Sequence, residues 1–148
     1  MAENDQATMT IVTCPDYHVE PDAQRIVVLG PYHTRMEIQD AIGLKWPEKP
    51  VSLYMGDGKH QDEIDWLLFQ LSIAHLVFVD PVSIWDWVWP MLLRTDANIL
   101  FKHSFDQINY KTMNKSLKLA YPGQVFESVD EIVEEAISRI YKYSTKQQ

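Results

Sequence analysis

The sequence predicts an α/β domain with a doubly wound, mostly parallel sheet of five strands. Three observations carry that expectation. Short, continuous apolar runs such as IVVLG at 26–30 and LVFVD at 76–80 read as strands covered on both faces. Segments with helical signatures separate these runs, so that strand and helix alternate five times. The chain of 148 residues has the size of one domain, and 46% hydrophobic against 23% charged residues is a globular balance.

The elements follow in order. Residues 1–8 are polar and acidic and read as a disordered tail, which leaves 9–143 as the single domain and 144–148 as a second polar tail. MTIVTC at 9–14 is rich in β-formers and stops at Pro15, as an extra edge strand would. A two-proline loop leads to the first core strand, 26–30. A helix is expected from Thr34, with Glu37 completing a capping box and Gly43 ending it in the left-handed conformation. VSLYM at 51–55 is the second strand. Residues 62–73 form a helix with Ile64, Leu67, Leu68 and Leu71 on one face. The third strand, 76–80, precedes a tryptophan-rich helix at 83–93 that Pro90 kinks or begins. NILFK at 98–102 is the fourth strand, residues 104–116 are polar and weakly helical, and 124–127 is a short fifth strand. Ser128 and Glu131 form a capping box for the last helix, whose buried stripe is Val129, Ile132, Val133, Ala136, Ile137 and Ile140. Parallel strands joined by helical crossovers give, most simply, the flavodoxin-like order 2-1-3-4-5.

Composition narrows the function. A net charge of −8 repels phosphate backbones, so general nucleic-acid binding is not expected. The lone cysteine, Cys14, rules out an intrachain disulfide, and neither a signal peptide nor a membrane span is recognisable. The expectation is a cytoplasmic protein. Five tryptophans in so short a chain leave more large side chains than one core easily hides, which predicts a homodimer or larger oligomer.

Open parallel sheets bind ligands at the carboxyl ends of their strands, beside the switch in strand order. That rule selects Gly30, Pro31, Tyr32 and His33 after the first strand, and the GDGKH loop with Asp57 after the second. It also selects Asp80 and Ser83 after the third, with Asp86 one helical turn beyond Ser83, and His103 after the fourth. The GDGKH loop is not a P-loop: one residue separates its glycines, and His60 follows Lys59. His33, His60 and His103 are possible metal donors, but no HxH or HExxH spacing presets a site, so no metal and no cofactor is expected. Trp85, Trp87 and Trp89 cannot all share one helix face; Trp85 and Trp89 can point to the core while Trp87 points elsewhere.

Two stretches, IVVLGPYHTR at 26–35 and DEIDWLLFQLSIAHLVFVDPVS at 62–83, resemble the nucleoside 2-deoxyribosyltransferase-like group and, more distantly, TIR domains. Gly30, Pro31 and Tyr32 match the Gly-Pro-aromatic turn of those transferases, and Ala74, His75, Leu76 and Val77 match the entry into their third strand. The resemblance spans residues 25–102. It implies a nucleoside- or nucleotide-type ligand at the strand ends. The transferases carry a glutamate on the helix after the third strand. Here that helix reads SIWDWVWPMLL, Asp86 is its only acid, and Trp89 stands where the TIR glutamate would be.

Three readings result. The first is a binding module for a nucleoside or nucleotide, without catalysis, which the missing glutamate favours. The second is an N-glycosidic hydrolase or transferase in which Asp86 stabilises the sugar cation and Asp80 orients the sugar. The third is a structural or protein-interaction domain that uses the tryptophan helix.

Overall fold

The computed structural model describes residues 9–12, 19, 21–47, 50–56, 64–81, 88–92, 95–102, 115–116 and 118–146. Among the described residues six strands form one parallel sheet: β1 (Met9–Val12), β2 (Gln24–Leu29), β3 (Val51–Gly56), β4 (Leu76–Val79), β5 (Asn98–Lys102) and β6 (Val125–Phe126). Their spatial order is β1-β3-β2-β4-β5-β6. Numbered from β2, the five core strands take the expected order 2-1-3-4-5. The extra strand, β1, lies at the edge and runs parallel to β3, with Ile11 opposite Leu53.

Among the described residues, the helices that cover the sheet include α1 (Tyr32–Lys45), α2 (Ile64–Ile73), α3 (Val88–Leu92) and α4 (Val129–Lys146). Each strand side chain falls on the face that alternation dictates. Ile26, Val28, Leu53, Leu76, Phe78 and Leu100 pack with α1 and α4. Val27, Leu29, Tyr54, Val77, Val79, Ile99 and Phe101 pack with α2 and α3 on the other face. The chain moves from β2 to β3 over the first face, and back to β4 and on to β5 over the second, so these crossovers share one hand. Lys45 ties α1 to α4 through Asp130 (3.1 Å) and Glu134 (3.3 Å). Asp130 is the larger influence that holds the ammonium above its ordinary range. These groups are solvated, so the pair adds little stability.

Two expected helix details change. The helix after β2 does not start at a Thr34 cap. It starts at Tyr32, with Pro31 as the N-cap residue in extended backbone (φ −68°, ψ 160°), and the Arg35 N–H donates to the Pro31 carbonyl at 3.0 Å. Thr34 is unavailable as a cap because its hydroxyl is committed to Asp80, 46 residues away. Gly43 does not end α1 either: the helix runs to Lys45. It stops at Trp46, which is extended (φ −69°, ψ 131°) because Pro47 follows it and disfavours helical backbone in the preceding residue.

The buried face of α2 is Trp66, Leu67, Gln70 and Leu71, and Leu68, expected inside, is exposed. The indole of Trp66 packs edge-on against Tyr54, with ring centroids 4.4 Å apart, and burying this larger ring turns Leu68 outward. Gln70 comes inside with it, and its Nε2 finds no hydrogen-bond partner among the described residues. Pro90 lies within α3, two residues after Val88. Trp89 faces inward and stacks on Phe101 at 6.1 Å. At α4 the Glu131 N–H donates to Ser128 Oγ (3.1 Å), the expected cap, and Val129, Ile132, Val133 and Ala136 are buried as expected. The helix then continues to Lys146. Among the described residues no helix is long and apolar enough to cross a membrane.

Candidate functional site

The switch in strand order falls at β2. The chain leaves β2 for β3 on one side, and β4 lies on the other, paired through Leu29 opposite Val79. The residues that follow these two strand ends, Gly30 and Asp80, therefore meet. The Asp80 N–H donates to the Leu29 carbonyl at 2.8 Å, which extends the ladder by one bond. A Cβ built on Gly30 would stand 2.8 Å from the Asp80 Cβ, closer than real side chains approach. Glycine at 30 is what permits the carboxylate-bearing residue at 80.

Asp80 is buried, 2% exposed. Its Oδ2 accepts a hydrogen bond of 2.6 Å from the hydroxyl of Thr34, itself 1% exposed. Thr34 stands in the first turn of α1, and that turn contains no acidic residue of its own. Asp80 thus brings a carboxyl group from β4 to the positive end of the helix dipole. This one contact joins the end of β4, the start of α1 and the turn after β2.

The rim is built by the first turn of α1. Tyr32 is 68% exposed, His33 is exposed and Pro31 is half-buried. Arg35 reaches back along the helix: its Nε donates to the Gly30 carbonyl at 3.0 Å, and its guanidinium carbon lies 5.6 Å from the centre of the Tyr32 ring. Gly30, Pro31, Tyr32, His33 and Asp80, all selected from the sequence, are therefore gathered at one strand-end junction. Asp57, Ser83 and Asp86 lie outside the described residues, as do His60, His103, Trp85 and Trp87. Among the described residues no three His, Cys, Asp or Glu side chains converge as metal ligands.

Thr34 and Arg35 were missed as site residues. The local pattern around Thr34 reads as a capping box, and nothing near Arg35 in sequence shows that its side chain folds back to Gly30. The signal that could have found Thr34 is the buried acid: a carboxyl at a strand end needs a donor, and the facing helix start is where one would sit.

Another histidine, His75, sits at the opposite, amino end of the strands. His75 Nδ1 accepts a hydrogen bond from the Arg25 N–H at 3.0 Å. Its own N–H donates to the Arg25 carbonyl at 2.8 Å, and the Arg25 Nε donates to the Ile73 carbonyl at 2.7 Å. Partial desolvation, and secondarily the Arg25 charge, push the imidazole below its ordinary range. This histidine fastens the entry of β4 to β2 and lies far along the strands from Gly30 and Asp80.

The class so defined is an open, doubly wound parallel α/β domain with a polar strand-end junction at its switch point. Comparison with family models, with curated proteins and with solved structures finds no match to this chain.

Proposed function

We propose that this protein binds a nucleoside- or nucleotide-type small molecule at the carboxyl edge of its sheet, over the ends of β2 and β4. The observation that carries this reading is the close approach of Gly30 and Asp80 at the switch point, with the exposed ring of Tyr32 beside it. Ligands of open parallel sheets occupy this location by general rule. The resemblance of 26–35 and 62–83 to the nucleoside 2-deoxyribosyltransferase-like group supports the same ligand class. Asp86, the acid that cleavage of an N-glycosidic bond would require, lies outside the described residues, and the proposal is therefore binding alone.

The test is a thermal-shift and calorimetric panel of ribonucleosides, deoxyribonucleosides and their 5′-phosphates. At least one of them is expected to raise the melting temperature in a saturable way, by an amount set by its affinity and concentration. Tyr32→Ala, which removes an exposed ring and disturbs no core contact, is expected to weaken that shift. A panel in which no nucleoside or nucleotide moves the transition overturns the reading.

Self-association is a separate proposal. Trp66 and Trp89 pack within the chain and Trp46 is half-buried; among the described residues, the exposed apolar side chains that favour it include Leu44, Leu119, Ile11 and Leu68. Sedimentation at high concentration should show a dimer or larger species, and a monomer there contradicts it.

A further inference from the structure

We propose that the ligand at this junction carries a phosphate, which Arg35 binds while Tyr32 stacks against the base. The inference rests on the binding reading above and narrows it from nucleosides to nucleotides.

Arg35 is held in an unusual way for a surface cation. Its Nε is spent on the Gly30 carbonyl at 3.0 Å, which fixes the guanidinium at the carboxyl end of β2. Four N–H groups remain on its two terminal nitrogens, in the fork geometry that matches phosphate oxygens. Among the described residues no carboxylate pairs with it. This stands out in a chain with 21 acidic and 13 basic residues. Lys45, by contrast, engages Asp130 and Glu134, and Arg139 engages Glu135 at 2.8 Å. The Arg35 side chain is half-buried, so it is partly shielded from water, and a charge-assisted bond to it is stronger than at a fully solvated site.

The ring of Tyr32 completes the pair. An Arg and a Tyr three residues apart meet readily on a helix surface. Here the guanidinium covers one side of a ring that is still 68% exposed, which leaves aromatic surface open at the rim. A planar base is the natural occupant of such a surface. An immobilised cation and an open aromatic ring, side by side at the switch point, complement the two ends of a nucleoside monophosphate.

The experiment is isothermal titration of the full chain with each common nucleoside and its 5′-monophosphate, at two salt concentrations. The monophosphate is expected to bind about tenfold or more tightly than the matching nucleoside, the gain of one charge-assisted contact. That advantage should shrink at high salt and vanish in Arg35→Gln. Arg35→Lys, which keeps the charge and loses the fork, should keep only part of it. Tyr32→Ala should weaken nucleoside and nucleotide alike. If Arg35→Gln fails to fold, the wild-type salt dependence and Arg35→Lys still decide the matter. Equal binding of nucleoside and monophosphate overturns this inference and leaves the binding reading standing. A phosphate advantage untouched in either Arg35 variant also overturns it. Binding of neither form overturns both.

Discussion

A methyl group on Gly30 would stand 2.8 Å from the Asp80 Cβ, whose backbone is held to β2 by the Asp80 N–H bond to the Leu29 carbonyl. Gly30→Ala is therefore expected to cost about 1–3 kcal/mol, the usual penalty for overpacking, read as a fall in urea midpoint at constant slope. Removing the donor that faces Asp80 acts on the same junction from the other side. Thr34→Val keeps the shape of the side chain but leaves a buried carboxyl group short of a bond; the expected loss is about 1–3 kcal/mol, and Thr34→Ser should recover most of it. His75 gives a prediction in pH. Its folded-state pKa lies below the ordinary 6.5, so the folded chain takes up the proton less readily than the unfolded one. The contribution is fully present above about pH 6.5 and is lost as the pH falls from there toward the folded value. Protonation at Nδ1 would also remove the acceptor for the Arg25 N–H. His75→Asn, whose side-chain oxygen can accept the same bond, should flatten the pH dependence of stability across this window; an unchanged profile would mean that His75 does not contribute to it.

At the scale of elements, local rules held where nothing distant competed with them. Ser128 caps α4 through the Glu131 N–H as its spacing indicates, and Ser128→Ala is expected to cost about 1 kcal/mol in chemical denaturation. The same Ser/Thr-x-x-Glu pattern failed at Thr34 because a buried carboxyl from β4 took the hydroxyl, a partner that no local window contains. The buried face of α2 differs from its leucine stripe for a related reason. A leucine stripe looks sufficient in sequence, yet Trp66 had Tyr54 to pack against, and the larger ring decided which face turned inward. Gly43 shows the limit of reading a stop signal by itself: it permits a helix end, whereas Pro47 compels one just before it.

At the scale of the whole molecule, the strand order was legible because it follows from few constraints. Apolar runs required cover on both faces, parallel strands required crossovers, and one hand of crossover left a simple order. The location of the candidate site followed from that order, and Gly30 and Asp80 were found by it. What the sequence could not supply was which side chains reach into the junction from across the fold. Thr34 and Arg35 depend on the register of Leu29 against Val79 and on α1 beginning three residues earlier than a Thr34 cap would place it. The proposed ligand, a nucleoside- or nucleotide-type molecule, would bind at this junction. Amide NMR of the isotope-labelled chain, titrated with the tightest-binding member of the panel, tests it most directly. Saturable shifts are expected to cluster at Gly30, Tyr32, His33, Thr34, Arg35 and Asp80, while Arg25, His75 and Asn98 at the opposite strand ends stay still. Saturable shifts centred on those opposite ends, or no shifts with any nucleoside or nucleotide, would contradict it.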